Sequence, residues 1–136
     1  MSSIEQTLSI IKPDAVERNL IDNIKSIFEK NNLKIKDSKK LHITKEEASE
    51  FYKVHQSKPF FNDLCTYLSS GPIVVMILEG NNAVALNRKI MGATDPKNAE
   101  DHTIRKLYGI SIDKNSVHGS DSIKNAKKEI DFFFKN

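Results

Sequence analysis

The sequence predicts an α+β fold: a ferredoxin-like, four-stranded antiparallel sheet covered by helices. Three observations carry that prediction. The apolar pattern switches repeatedly between the alternation of strands and the three-to-four spacing of helices, in the order β-α-β-α-α-β-α-α-β-α. The chain has 136 residues, 38% hydrophobic and 29% charged, which suits one soluble domain spanning 1–136. It contains no internal repeat, low-complexity tract or Gly/Ser linker that would divide it. A sheet with helices across one face, plus extra helices, is the economical arrangement.

Each element has its own signal. "TLSII" (7–11) is a short β-rich run ended by Pro13, which is tolerated in a helix's first turn. Over 14–30, Val16, Leu20, Ile24, Ile27 and Phe28 recur at helical spacing, predicting one amphipathic helix. "LKIKDSKKLHI" (33–43) alternates at both ends and predicts a strand with a bulge in its middle. Thr44 and Glu47 form a capping-box pattern that opens a helix over 44–56, and a shorter helix covers about 60–69. "GPIVVMILEG" (71–80) is a buried strand with a turn signal at each end. Helices follow at 82–92 and 102–109, both closed by glycine. "SVHG" (116–119) is extended, and Asp121 or Ser122 caps a last helix with an Ile123, Ala126, Ile130 and Phe133 stripe.

Composition excludes several classes. The longest apolar run, "IVVMIL" at 73–78, is too short to cross a membrane. The N-terminal segment has no basic n-region and no long apolar h-region, so no signal peptide is expected. Cys65 stands alone, which rules out an internal disulfide and fits a reducing cytoplasm. A net charge of +3 is too weak to argue for nucleic acid, and it suits a small anionic ligand as well.

The four histidines, at 42, 55, 102 and 118, form no HxxxH or CxxC-like pair, so no protein-built metal site is expected. There is no GxxxxGK[ST] and no GxGxxG, so any phosphate must be held by side chains. Lys12, Arg88, Thr94 and Arg105 are the candidates, because arginine forks match phosphate oxygens in pairs and lysine supplies a point charge. Taken singly, each reads first as a solvated surface charge. His118 has a stronger case within "NSVHGSDS" (115–122). A neutral imidazole is a nucleophile that needs no separate base, and its attack on phosphorus gives a phosphoramidate, itself a good phosphoryl donor. Gly119 allows close backbone approach. Ser120 and Glu129 could fix one ring nitrogen and leave the other free. A turn histidine ahead of a helix cap explains the same residues, and the two readings stand level. Tyr52 and Phe60 are either core aromatics or, if exposed, a plate for a base to stack on.

Five blocks in order carry a resemblance to a known family. "NSVHGSDS" resembles the Asn-x-x-His-Gly-Ser-Asp signature of nucleoside diphosphate kinases. "SIIKPDAVERN" (9–19), "FYKVHQSKPFF" (51–61), "NRKIMGATDP" (87–96) and "HTIRKLYG" (102–109) resemble the family's first strand and turn, nucleotide-entry helices, phosphate-binding helix and following loop. The resemblance implies ping-pong transfer of a γ-phosphoryl group from a nucleoside triphosphate to a diphosphate. His118 is then the phosphorylated nucleophile, held by Ser120 and Glu129. Lys12 contacts the sugar 3′-OH and terminal phosphate, and Arg88, Thr94 and Arg105 hold the phosphates with Tyr52 close by. Asn115 contacts the ribose, and the base lies between Phe60 and Ile112. Mg²⁺ arrives with the nucleotide, with no protein side chain as ligand. The implied partners are nucleoside di- and triphosphates and further copies of the chain, with no nucleic acid or membrane required. The short segment after the last helix resembles bacterial members, and tetramer and hexamer both stay open. Two rivals remain at this point. One is a ferredoxin-like RNA-binding module, though "PIVVMIL" lacks the exposed strand aromatics such modules use. The other is a regulatory carrier of phosphohistidine.

Overall fold

The computed structural model of the chain describes residues 4–112 and 114–134. Its one sheet runs in the order β2-β3-β1-β4, with β1 at Ile4–Ile11, β2 at Lys34–Leu41, β3 at Ile73–Asn81 and β4 at Val117–Gly119. Every neighbouring pair is antiparallel. That is the predicted ferredoxin-like sheet. The predicted bulge in β2 falls between Ile35 and Asp37, where its register against β3 shifts.

The helix predicted over 14–30 is two helices, α1 (Pro13–Glu17) and α2 (Ile21–Lys30). Asn19 breaks it with φ 60°. Around it, Asn19 N donates to Val16 O at 3.1 Å and Leu20 N to Ala15 O at 3.0 Å. This is a Schellman closure with asparagine in the position glycine usually takes. Asn32, with φ 68°, closes α2 in the same way: Leu33 N reaches Phe28 O at 3.0 Å. The Thr44–Glu47 capping box opens α3 (Lys45–Phe51), which gives way to a 3₁₀ turn at Lys53–His55 before α4 (Phe61–Leu68). Beyond β3 come α5 (Ala83–Met91), a 3₁₀ turn at Pro96–Asn98, α6 (Ile104–Tyr108) and, after β4, α7 (Ile123–Phe134).

Helices cover both faces of the sheet rather than the one expected. On one face Ile11, Val74, Met76, Leu78 and Val117 meet Val16, Ile24, Phe28, Met91 and Ile104 from α1, α2, α5 and α6. On the other, Leu8, Ile10, Ile73 and Val75 meet Ala48, Cys65, Leu68 and Phe133 from α3, α4 and α7. The physical reason lies in β3. A strand apolar at consecutive positions has no polar face to give to water, so both faces must be covered. On α7, Ala126 and Phe133 are buried as predicted, but Ile123, the first residue of the helix, is 63% exposed.

Candidate active site

Strand alternation decides where His118 points. Val117 pairs with Ile11 and His118 with Ile10. Val117 therefore enters the first core, and His118 rises on the opposite face, under α3 and α7. The Phe51 ring meets the imidazole edge-on, with centroids 5.3 Å apart. Ser122 caps α7 by accepting from Asn125 N at 3.1 Å, which sends the helix back over β4. One turn further along, Glu129 Oε1 lies 3.0 Å from His118 Nε2 and accepts from Ser120 Oγ at 2.7 Å. Ser120 is fully buried, with its hydroxyl turned to Glu129. A Cβ on Gly119 would meet the tips of the Asn87 and Met91 side chains of α5, with Met91 Cε at 2.7 Å, so both would have to shift to admit one.

A cleft of about 560 Å³ opens over His118. Every predicted site residue except Ser120 lines it. Lys12 closes β1, and its Nζ donates to Asn115 Oδ1 at 2.9 Å. Asn115 Nδ2 in turn donates to Thr94 O at 3.1 Å, tying the loop after α5 to the segment before β4. Gly92, with φ 88°, ends α5 and frees that loop to turn towards Thr94. Arg105 donates to Gly92 O at 3.0 Å and to Val117 O at 2.8 Å. Burial, and then the nearby Arg88, pull its guanidinium pKa down to about 10, which leaves it charged at neutral pH. Arg88 itself is exposed at the rim.

At the mouth the two aromatics separate. Tyr52 is 7% exposed and joins the core, where burial raises its phenol pKa and keeps it protonated. Phe60 is 45% exposed, and Ile112, also lining the cleft, is 55% exposed. Phe51, His55, Leu64, Asp121, Asn125 and Lys128 also line the cleft and were not predicted as site residues. Asp121 could have been found, since it is the acid of the HGSD run. Its carboxyl accepts from Asn125 Nδ2 at 2.6 Å. That bond, together with Arg88 and His118 nearby, holds its pKa below the usual range.

No group of three or more His, Cys, Asp or Glu side chains that could hold a metal occurs among the described residues. The donors gathered in the cleft, Lys12, Arg88, Arg105 and Thr94, suit the oxygens of an anion. No helix among the described residues is long and apolar enough to cross a membrane.

A family profile described as nucleoside diphosphate kinase matches residues 5–136. A curated nucleoside diphosphate kinase of Nitratiruptor sp. is 59% identical over 131 residues, covering 96% of each chain. One from Rhizorhabdus wittichii is 58% identical, covering 96% of this chain and 94% of its own. Among solved structures, a crystal form of the Aquifex aeolicus nucleoside diphosphate kinase superposes with a TM-score of 0.96 at 40% identity. That match covers 98% of this chain and 97% of the other.

Proposed function

The chain belongs to the nucleoside diphosphate kinase family, and from that premise we propose how its cleft carries the reaction. The protein is a phosphotransferase that moves the γ-phosphoryl group of a nucleoside triphosphate to a nucleoside diphosphate. The single observation behind the proposed mechanism is the bond between His118 Nε2 and Glu129. Glu129 accepts a hydrogen bond from Nε2–H and so fixes that tautomer, which leaves the Nδ1 lone pair as nucleophile. Attack on the γ-phosphorus forms a P–N bond as the bond to the diphosphate's bridging oxygen breaks. The reverse attack by a second diphosphate regenerates the imidazole. Ser120 positions Glu129 through its 2.7 Å bond. Over the full cycle one P–O bond is exchanged for another of the same kind, so the barrier falls mainly through alignment and charge neutralisation.

In this reading Arg88, Arg105 and Thr94 hold the phosphates. Lys12 and Asn115, already paired at 2.9 Å, meet the 3′-OH and ribose, and Lys12 also reaches the terminal phosphate. Tyr52 keeps the cleft wall in place, and the base slides between Phe60 and Ile112. A Mg²⁺ ion arriving with the nucleotide, with no protein side chain as its ligand, would supply charge neutralisation at the phosphates beside Arg88 and Arg105. The substrates are nucleotides, with nucleic acid and membrane playing no part. The buried free Cys65 suits a reducing cytoplasm.

Incubation with γ-labelled ATP and Mg²⁺, followed by GDP, should give labelled GTP. Label released only as inorganic phosphate would overturn the reading. The chain also self-associates, as a tetramer or a hexamer. Exposed Leu107, Ile110 and Ile123 offer apolar area that an interface would bury. Light scattering that showed an active monomer would contradict this.

A further inference from the structure

Asp14, the third residue of the Lys-Pro-Asp turn, has no part in the mechanism above. It is 6% exposed, and its carboxylate gathers three donors from different parts of the chain. Tyr67 of α4 donates its hydroxyl to Oδ1. Ser116 Oγ donates to Oδ2 at 2.9 Å, and Arg18 Nη2 donates to the same oxygen at 3.1 Å. The Tyr67 oxygen also accepts from Asp14 N at 3.0 Å. Burial first, and the Asp14 carboxylate next, push the Tyr67 pKa up, so the phenol remains a donor at any working pH.

These bonds converge on a strained residue. Ser116 is fully buried and has φ 75°. A side chain in that region is disfavoured and persists only where its surroundings over-determine it. Ser116 is held from three sides. Its Oγ bonds Asp14 and accepts from Arg18 Nη2 at 3.3 Å, and its carbonyl accepts from Lys12 N at 2.8 Å. Arg18 is itself anchored to Tyr108 O at 2.6 Å. The reversal at Ser116 lets Asn115 line the cleft while Val117, two residues on, enters the core.

We propose that Asp14 is a positioning residue for the nucleotide: through Ser116 it holds the backbone reversal that sets Asn115 at the sugar end of the cleft. This rests on the phosphotransferase reading given above. The reacting imidazole is fixed separately, by Glu129, so the clamp should govern nucleotide binding and leave the intrinsic reactivity of His118 alone.

Two phosphoryl donors separate those effects. ATP needs the sugar end of the cleft, whereas phosphoramidate has no sugar and tests the histidine and the residues that hold the transferring phosphate. Phosphoenzyme formation from each should be measured for wild type, Asp14→Asn, Ser116→Ala and Tyr67→Phe, with thermal melts alongside. Asp14→Asn and Ser116→Ala should lose about 10- to 100-fold in kcat/KM for ATP, mostly in KM, and keep the wild-type rate with phosphoramidate. Tyr67→Phe removes one hydroxyl and should lose about 2- to 10-fold for ATP alone. It carries the same comparison if Asp14→Asn does not fold. Unchanged ATP kinetics in folded variants would overturn the inference. So would an equal loss with both donors, which would place the damage at His118 or in the fold. A wild-type protein that forms no phosphoenzyme with either donor would overturn the phosphotransferase reading itself, and this inference with it.

Discussion

The two ends of the cleft are built differently. At the closed end, His118 and Glu129 keep only 22% and 21% of their side chains exposed, and Ser120 and Phe51 brace them from behind and above. At the mouth, Phe60 and Ile112 are about half exposed, and the Phe60 ring lies 6.2 Å from that of His55. Bond making tolerates little misalignment, so the folding free energy is spent on holding one imidazole still. A stacking plate needs only an accessible π-face, so the mouth can stay open and apolar. In the proposed mechanism, chemistry is therefore strict at one end and recognition permissive at the other.

The most severe way to break that contrast is at the closed end. His118→Ala should lower exchange by at least about 10⁴-fold while nucleotide binding, followed by calorimetry, survives. Next comes the clamp between the two ends. Arg88→Ala should cost about 1.5–3 kcal/mol in kcat/KM, and wild-type kinetics would return it to the status of a surface charge. Glu129→Gln keeps the shape but exchanges a charged acceptor for a neutral one. It should lower kcat by about 10-fold or more with little change in KM. A pure KM effect would show that Glu129 does not orient the ring.

The smallest effects should come from the mouth. Phe60→Ala should raise KM for every nucleotide by about 1–3 kcal/mol in binding and flatten their ranking. With Phe60 intact, adenine, guanine, cytosine and uracil diphosphates should fall within about two orders of magnitude in kcat/KM, purines ahead. A four-substrate panel with one fixed donor checks this, and a preference of about 10⁴ for one base would reveal a hydrogen-bonding reader at the mouth.

The same division explains what could be read from the sequence. The sheet was legible because the β-rich run "TLSII" and the unbroken apolar run of β3 are local signals, and the Thr44–Glu47 box announces itself by spacing. The break between α1 and α2 was hidden because asparagine, not glycine, takes the left-handed position at 19. The second covered face was written in β3, whose apolar residues leave no polar side, but the helix pattern did not say which helix goes where. In the site, His118, Lys12, Arg88 and Arg105 showed themselves by residue type. Their convergence did not, since it depends on pairings such as Ile10 with His118, made across more than a hundred residues. Phe51 was missed because an aromatic at a helix end carries no mark of the ring it packs against. The strain at Ser116 is likewise invisible, since nothing in "KNSVHG" requires serine to take a positive φ.

The central claim is that the closed end forms a covalent phosphohistidine. The most direct test is to treat the protein with γ-labelled ATP and Mg²⁺, remove the nucleotide, and locate the label. The account predicts acid-labile, alkali-stable label on Nδ1 of His118, discharged fully by GDP and absent from His118→Ala. Label of normal yield in the His118→Ala variant, or label that GDP fails to remove, would contradict it.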